Sequence, residues 1–258
     1  MSDSHMSSFS LEGAINFRDM GRYYLANGRK IKQGLLFRSG ALHELNENDR
    51  VTLRQKGVHH ILDYRDKDEV MLQPDRLWPT ACYKNIPANP SQNQGDANLA
   101  NLSIAGLEHV DIHAFMITLY RHLPFNNAAY QYLIGLLQQS EPKPLIQHCA
   151  IGKDRTGIGA ALVLFILGAD FDLILQDYLL TEQALAPYRE RILSKLEPQC
   201  SANALAKLQY AFSAKPEFIE AAYDAILVRY QSIEQWLWHE FGLTKHERNM
   251  IQNNYLID

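Results

Sequence analysis

The stretch Pro144-Leu145-Ile146-Gln147-His148-Cys149-Ala150-Ile151-Gly152-Lys153-Asp154-Arg155-Thr156-Gly157 decides how the rest of the chain is read. A short apolar segment enters a cysteine, a tight loop follows, and Gly157 to Ala169 has the composition of a buried helix. Five residues separate Cys149 from Arg155, the pattern C-x5-R. A loop of this length running into a helix N-terminus aims successive backbone N–H groups at one point and adds the positive end of the helix dipole. Such a cradle suits a tetrahedral oxyanion, of which phosphate is the commonest. A cysteine at its base is expected to favour the thiolate, because cationic surroundings stabilise it. Arg155 can grip two oxygens at once and stays charged. The stretch therefore implies a cysteine nucleophile that handles phosphate.

Composition sets the frame around it. The chain has 258 residues, 47% hydrophobic and 21% charged, which is ordinary for a globular domain with a sizeable core. A net charge of -4 gives no general attraction to nucleic acid or to an anionic membrane, so any phosphate affinity must be local. Three cysteines far apart (Cys82, Cys149, Cys200) argue against a disulfide framework and fit a reducing compartment. No apolar run approaches the roughly 20 residues that span a bilayer. Ser4-His5-Met6 looks like a cloning scar. A cytoplasmic location is expected, with export by a route other than a signal peptide left open.

Outward from the loop, Leu11 to Gly40 reads as extended segments, with Asn27-Gly28 as a hairpin signal. Asn46 caps an expected helix that ends before Gly57. Val58 to Leu62 is an expected strand that delivers Asp63-Tyr64-Arg65-Asp66 and Glu69 into a loop. A further strand is expected over Ala81 to Ile86, a long loop over Ala88 to Ser103, and helices near Val110–His122 and Asn126–Gln139. After Ala169 every segment reads as helix, the last opened by a Thr244–Glu247 capping box. The fold class is α/β: one domain over 9–258, a small sheet sandwiched by helices, with a helical insertion over 187–214 after the phosphate loop.

His148 to Gly157 resembles the H-C-x-x-G-K-D-R-T-G loop of the bacterial atypical tyrosine phosphatases, a branch of the cysteine-based tyrosine phosphatase superfamily. Asn16-Phe17-Arg18-Asp19-Met20-Gly21 resembles that family's N-F-R-D-L-G, Phe37-Arg38-Ser39-Gly40 its R-S-G element, and Asp63-Tyr64-Arg65 with Glu69 its D-L-R followed by Glu. The departures are small: Met20, Tyr64 and Arg22 stand at positions that are Leu, Leu and Gly in the family. The resemblance implies a protein-tyrosine-phosphatase-like sheet and hydrolysis of phosphoprotein, in some members also of phosphoinositide, through a phosphocysteine. Cys149 would attack phosphorus. Arg155 and the amides of Ala150, Ile151, Gly152 and Lys153 would hold the oxygens. No metal or other cofactor is called for.

Several roles stay open at this point. Thr156 would donate to the sulfur or make a local helix bond. Asp154 is the expected proton donor to the leaving group, with Asp111, Asp96 and Asp63 as alternatives. Asp63 would otherwise contact substrate or pair with Arg38. Lys153 would be a rim cation, either for a second phosphate or simply solvated. Arg18 and Arg38 are expected in ion pairs with Asp19 or Asp63. Tyr188, Arg189 and Arg191 would touch substrate or form a solvated helix face. Cys82 and Cys200 are read as buried, and His109/His113 as unconnected with metal. A phosphoinositide phosphatase is the runner-up function. A non-catalytic phosphate-binding module is disfavoured because Cys149, Asp154, Arg155 and Thr156 are all present.

Overall fold

The computed structural model describes residues 9–21, 23–89 and 104–258. Arg22, Asp96 and most of the loop expected over Ala88 to Ser103 lie outside the described residues. Five strands form the central sheet in the order β1 (Arg18–Asp19), β3 (Leu36–Ser39), β6 (Leu145–His148), β4 (His60–Asp63), β5 (Cys82–Asn85). All pairs are parallel except β1 with β3. Between them lie α1 (Glu47–Gln55), α2 (Lys67–Leu72), α3 (Ile104–Leu107), α4 (Ile112–His122) and α5 (Ala128–Leu137). After β6 come α6 (Asp154–Leu167), α7 (Phe171–Ala184), α8 (Ala186–Leu196), α9 (Ala202–Phe212), α10 (Pro216–Tyr230), α11 (Ile233–Phe241) and α12 (Lys245–Tyr255). The architecture is α/β, as the sequence led us to expect.

The two-residue period of a strand decides which helices cover which face. Phe37, Ile146 and Ile61 sit in one register row and pack with Leu53 of α1 and Trp78 in a core on one side of the sheet. Leu36, Leu145 and Leu62 point the other way, into the larger core shared with α4, α5, α6 and α10. Every residue of β6 is buried, as a strand covered on both faces requires. The centre of that sheet therefore ends at Cys149, and the C-terminal ends of its parallel strands open onto one place.

The hairpin expected at Asn27-Gly28 is reduced to a single bridge, Tyr24 to Lys30. Gly28 takes φ +83 at its tip, the left-handed conformation that glycine adopts without strain. β2 (Lys30–Ile31) instead pairs with β7 (Leu256–Ile257), which joins the last described strand to the second. The loop expected after Asp63 contains α2, where Glu69 Oε2 accepts from the Asp66 N–H at 2.8 Å and caps the helix N-terminus. Both the Asn46 cap and the Thr244–Glu247 capping box are formed as expected.

Candidate active site

The loop after β6 is shaped by where its carbonyls go. Ala150 O accepts from the Ala41 N–H at 3.0 Å. Asn16 Nδ2 donates to Ile151 O at 3.1 Å and to Gly152 O at 2.8 Å, and Arg38 Nη2 donates to Gly152 O at 3.0 Å. In a trans peptide the following N–H points opposite to the carbonyl. Drawing three consecutive carbonyls outward therefore turns the N–H groups of Ile151, Gly152 and Lys153 inward, over Cys149. Gly152 permits this at φ +69, and a Cβ there would lie 2.5 Å from the backbone of Ser39. Asn16 itself takes φ +54, a conformation that asparagine tolerates better than most residues.

Arg155 leaves the first turn of α6 and is held by a fork. Its Nη1 donates to Glu69 Oε2 at 2.6 Å and its Nη2 to Glu69 Oε1 at 2.8 Å. Burial alone would lower the guanidinium's pKa, but Glu69 outweighs it and holds Arg155 above its ordinary value. Glu69, raised by burial and lowered more strongly by Arg155, stays below its own. The Nε–H group has no hydrogen-bond partner among the described residues. Cys149 is 2% exposed, and it interacts electrostatically with this guanidinium.

Beneath the loop lies a buried charge quartet. Asp63 accepts from Arg65 Nε at 3.0 Å and from the Tyr83 hydroxyl at 2.8 Å, and His148 Nδ1 lies 3.7 Å away. Asp75 pairs with Arg65 at 2.9 Å and with His148 Nε2 at 3.0 Å. Burial lowers the His148 pKa, but Asp75 and Asp63 overcome it and raise it to about 9. Asp63, pushed up by burial, is brought below its ordinary value by His148 and Arg65. An imidazolium thus sits directly before Cys149 at neutral pH.

A second buried cluster joins the N-terminal motif to α7. Arg18 Nε donates to Asp177 Oδ1 at 3.1 Å and Arg38 Nη1 to Asp177 Oδ2 at 2.5 Å. The expectation of ion pairs for both arginines is met, with a partner other than Asp19 or Asp63. The signal for Asp177 was present: it shares a helix face with buried Ile174, Tyr178 and Thr181. Arg18 Nη1 also donates to Asn16 Oδ1 at 2.5 Å, which fixes the amide whose nitrogen holds the loop.

Other candidate site residues stand elsewhere than expected. Asp63 is fully buried beneath the loop among Arg65, Tyr83 and His148, so it neither faces substrate nor pairs with Arg38. Asp111 caps α4, accepting from the Ala114 N–H at 3.0 Å. Lys153 is no rim cation: it is fully buried, its Nζ donating to Ala211 O and to Ser213 O (3.1 Å) at the junction of α9 and α10. Thr156 Oγ1 is buried with no hydrogen-bond partner among the described residues, so neither the bond to sulfur nor the local helix bond is made. Cys82 is exposed and Cys200 half-buried, against the expectation that both are interior.

Asp154, the first residue of α6, stands nearest in sequence to the Cys149 loop among the described acid candidates. Tyr120 donates its hydroxyl to Asp154 Oδ1 at 2.8 Å, and Lys153 Nζ lies 3.1 Å from the same oxygen. Tyr120 has one proton, so the 2.6 Å contact with Tyr178 makes Tyr178 the donor there. Burial, Asp154 and Tyr178 raise the Tyr120 pKa well above its ordinary value, so this chain stays protonated. Both contacts fall on Oδ1. Oδ2 has no hydrogen-bond partner among the described residues.

Comparison with known proteins agrees with this geometry. The model of the tyrosine phosphatase family matches residues 9–257, nearly the whole chain. The chain belongs to the tyrosine phosphatase family. Over 96% of its length it is 29% identical to the triple specificity protein phosphatase PtpB of Mycobacterium tuberculosis, covering 98% of that protein. It is 26% identical, over 86% of its length, to a protein of Cupriavidus necator provisionally named a tyrosine-protein phosphatase, covering 80% of it. This phosphatase is accordingly a phosphoric monoester hydrolase of the protein-tyrosine-phosphatase type. No helix among its described residues is long and apolar enough to cross a membrane.

Proposed function

We propose that this phosphatase hydrolyses phosphotyrosine on proteins with a broad tolerance for other phosphomonoesters, through a phosphocysteine on Cys149. The observation that carries the proposal is the loop itself: three carbonyls drawn outward over a buried cysteine, beside a guanidinium forked on Glu69. Cys149 as thiolate attacks phosphorus in line, and the bond to the ester oxygen breaks. Charge developing on the three equatorial oxygens meets the N–H groups of Ile151, Gly152 and Lys153 and the free edge of Arg155, already in place. Asp154 gives its proton to the leaving oxygen and then takes one from the water that splits the phosphocysteine. Tyr120 and Lys153 both hold Oδ1, which leaves Oδ2 as the oxygen to carry the transferred proton. The triple specificity named for the Mycobacterium relative supports breadth.

A second reading, a phosphoinositide substrate, is favoured by a cavity of about 190 Å³ beside Ala150. His43, Arg191 and Lys195 line it and could meet a further phosphate, although Glu44 stands among them 3.8 Å from Arg191. Tyr188 is on its wall, whereas Arg189 turns away to Glu182 at 2.7 Å. Initial rates on a panel of phosphotyrosine, phosphoserine and phosphothreonine peptides and on short-chain phosphoinositides decide between them. Highest kcat/KM on phosphotyrosine peptides supports the first reading, and preference for the inositides overturns it. Acid quenching should trap a labelled phosphoenzyme that Cys149→Ser lacks.

A further inference from the structure

At the opposite end of the sheet three soft or borderline ligand residues meet. The parallel register pairs His60 directly with Cys82, and the Cys82 N–H donates to His59 O at 2.7 Å. Paired residues of neighbouring strands project to the same face. One ligand atom from each of His59, His60 and Cys82 lies within 4.8 Å of the other two. The two rings meet edge to face with centroids 4.7 Å apart. We propose that His59, His60 and Cys82 bind a thiophilic divalent cation of the zinc class, leaving one coordination position open.

Donor chemistry and supporting contacts carry this assignment. A tetrahedral ion with nitrogen and sulfur ligands needs donor atoms about 3.4–3.6 Å apart, from bond lengths of about 2.0–2.1 Å and 2.3 Å. Cys82 is exposed, so its side chain can rotate toward the two rings without disturbing a packed core. His60 Nε2 lies 3.3 Å from Gln139 Oε1, an oxygen that only accepts. That contact assigns the proton to Nε2 and leaves Nδ1 with its lone pair, the arrangement in which an outer partner fixes a metal-binding histidine. Two imidazoles and a thiolate suit zinc, cobalt or copper better than magnesium or calcium.

The site is separate from the phosphate loop. His60 and Cys82 begin their strands, while Cys149 follows the end of β6, about 13 Å away at 3.3 Å per residue over four residues. A bound ion would tie the first residue of the edge strand β5 to β4 and stabilise the folded chain by mass action.

The test uses the full chain with Cys149→Ser and Cys200→Ala, so that Cys82 is the remaining thiol. Cobalt(II) titration should give one ion per chain, with a thiolate-to-cobalt charge-transfer band and tetrahedral visible bands, and zinc should displace it and raise Tm. Cys82→Ser in this background should abolish the charge-transfer band, His59→Gln and His60→Gln should each weaken binding at least tenfold, and Gln139→Leu should weaken it about 10–100-fold. Absence of a charge-transfer band in the background protein overturns the proposal. So does cobalt binding that Cys82→Ser leaves unchanged. Cys82 is at the surface, so its substitution leaves folding intact, and unaltered circular dichroism checks this.

Discussion

Glu69 accepts both Nη groups of Arg155, at 2.6 and 2.8 Å, while its Oε2 also takes the N–H of Asp66. One carboxylate therefore caps α2 and fixes the direction of the Arg155 guanidinium. Glu69→Gln keeps the cap acceptor but breaks the charged fork, so the guanidinium loses its fixed direction. Misplacing such a group by about 1 Å costs on the order of 10²-fold in rate. We expect kcat/KM on a phosphotyrosine peptide to fall by about that factor with Tm little changed, measured by steady-state kinetics and a thermal melt. Arg155→Lys should lose more, because an ammonium cannot span two oxygens in the fork geometry.

Asp154 and Asp111 make opposite predictions. Asp154→Asn should lower kcat on phosphotyrosine peptides by about 10²–10⁴-fold, and much less on p-nitrophenyl phosphate, whose phenolate departs without a proton. Asp111→Ala removes a helix cap worth about 1 kcal/mol and should leave kcat nearly unchanged. Comparing both variants on both substrates separates proton donation from support of the fold. Asp111→Ala abolishing turnover while Asp154→Asn spares it would reverse the assignment.

Asp177 neutralises Arg18 and Arg38 at once, inside the domain. Burial pushes its carboxyl up, and the two guanidinium groups more than reverse this, holding it well below the ordinary carboxylate range. Removing one member of a buried ion pair costs about 3–5 kcal/mol, so Asp177→Ala should shift the urea midpoint strongly downward. Because the folded pKa is depressed, this stabilisation is complete above about pH 4 and fades as pH falls below it. Urea unfolding at pH 7 and at pH 3 should show the gap between wild type and variant narrowing in acid.

His148 titrates with the opposite sign. Its folded pKa of about 9 lies above the unfolded value of about 6.5, so the folded state holds the extra proton. The contribution is complete below about pH 6.5 and is lost as pH rises through about 9, amounting to roughly 3 kcal/mol at most. Urea unfolding across pH 6 to 10 should show stability declining in the wild type and a flatter profile in His148→Gln. A wild-type profile without that decline would place the proton elsewhere.

The phosphate loop was legible because its chemistry is local. Cys149, Gly152, Lys153, Asp154, Arg155 and Thr156 lie within eight residues, and a strand, loop and helix succession is written in their apolar flanks. The α/β class followed from the alternation of apolar runs with capped helices, and the Asn46 and Thr244 caps are contacts over three residues. What the sequence alone determined was thus the family, the fold class and the residues proposed as nucleophile and clamp.

Tertiary structure decided the partners. Asp177 meets Arg18 across 159 residues and Arg38 across 139, and no local period states which of several carboxylates will do so. Lys153 looked like a rim cation because a lysine in a loop is normally solvated. The packing of α9 and α10 carries the carbonyls of Ala211 and Ser213 to it, and a buried ammonium goes where acceptors are. Asp63 stands at a strand end, where functional groups collect, yet Arg65, Tyr83 and His148 close over it from below. Only folding brings these charges out of water together, and the cost of burying each unpaired is what forces the pairings seen.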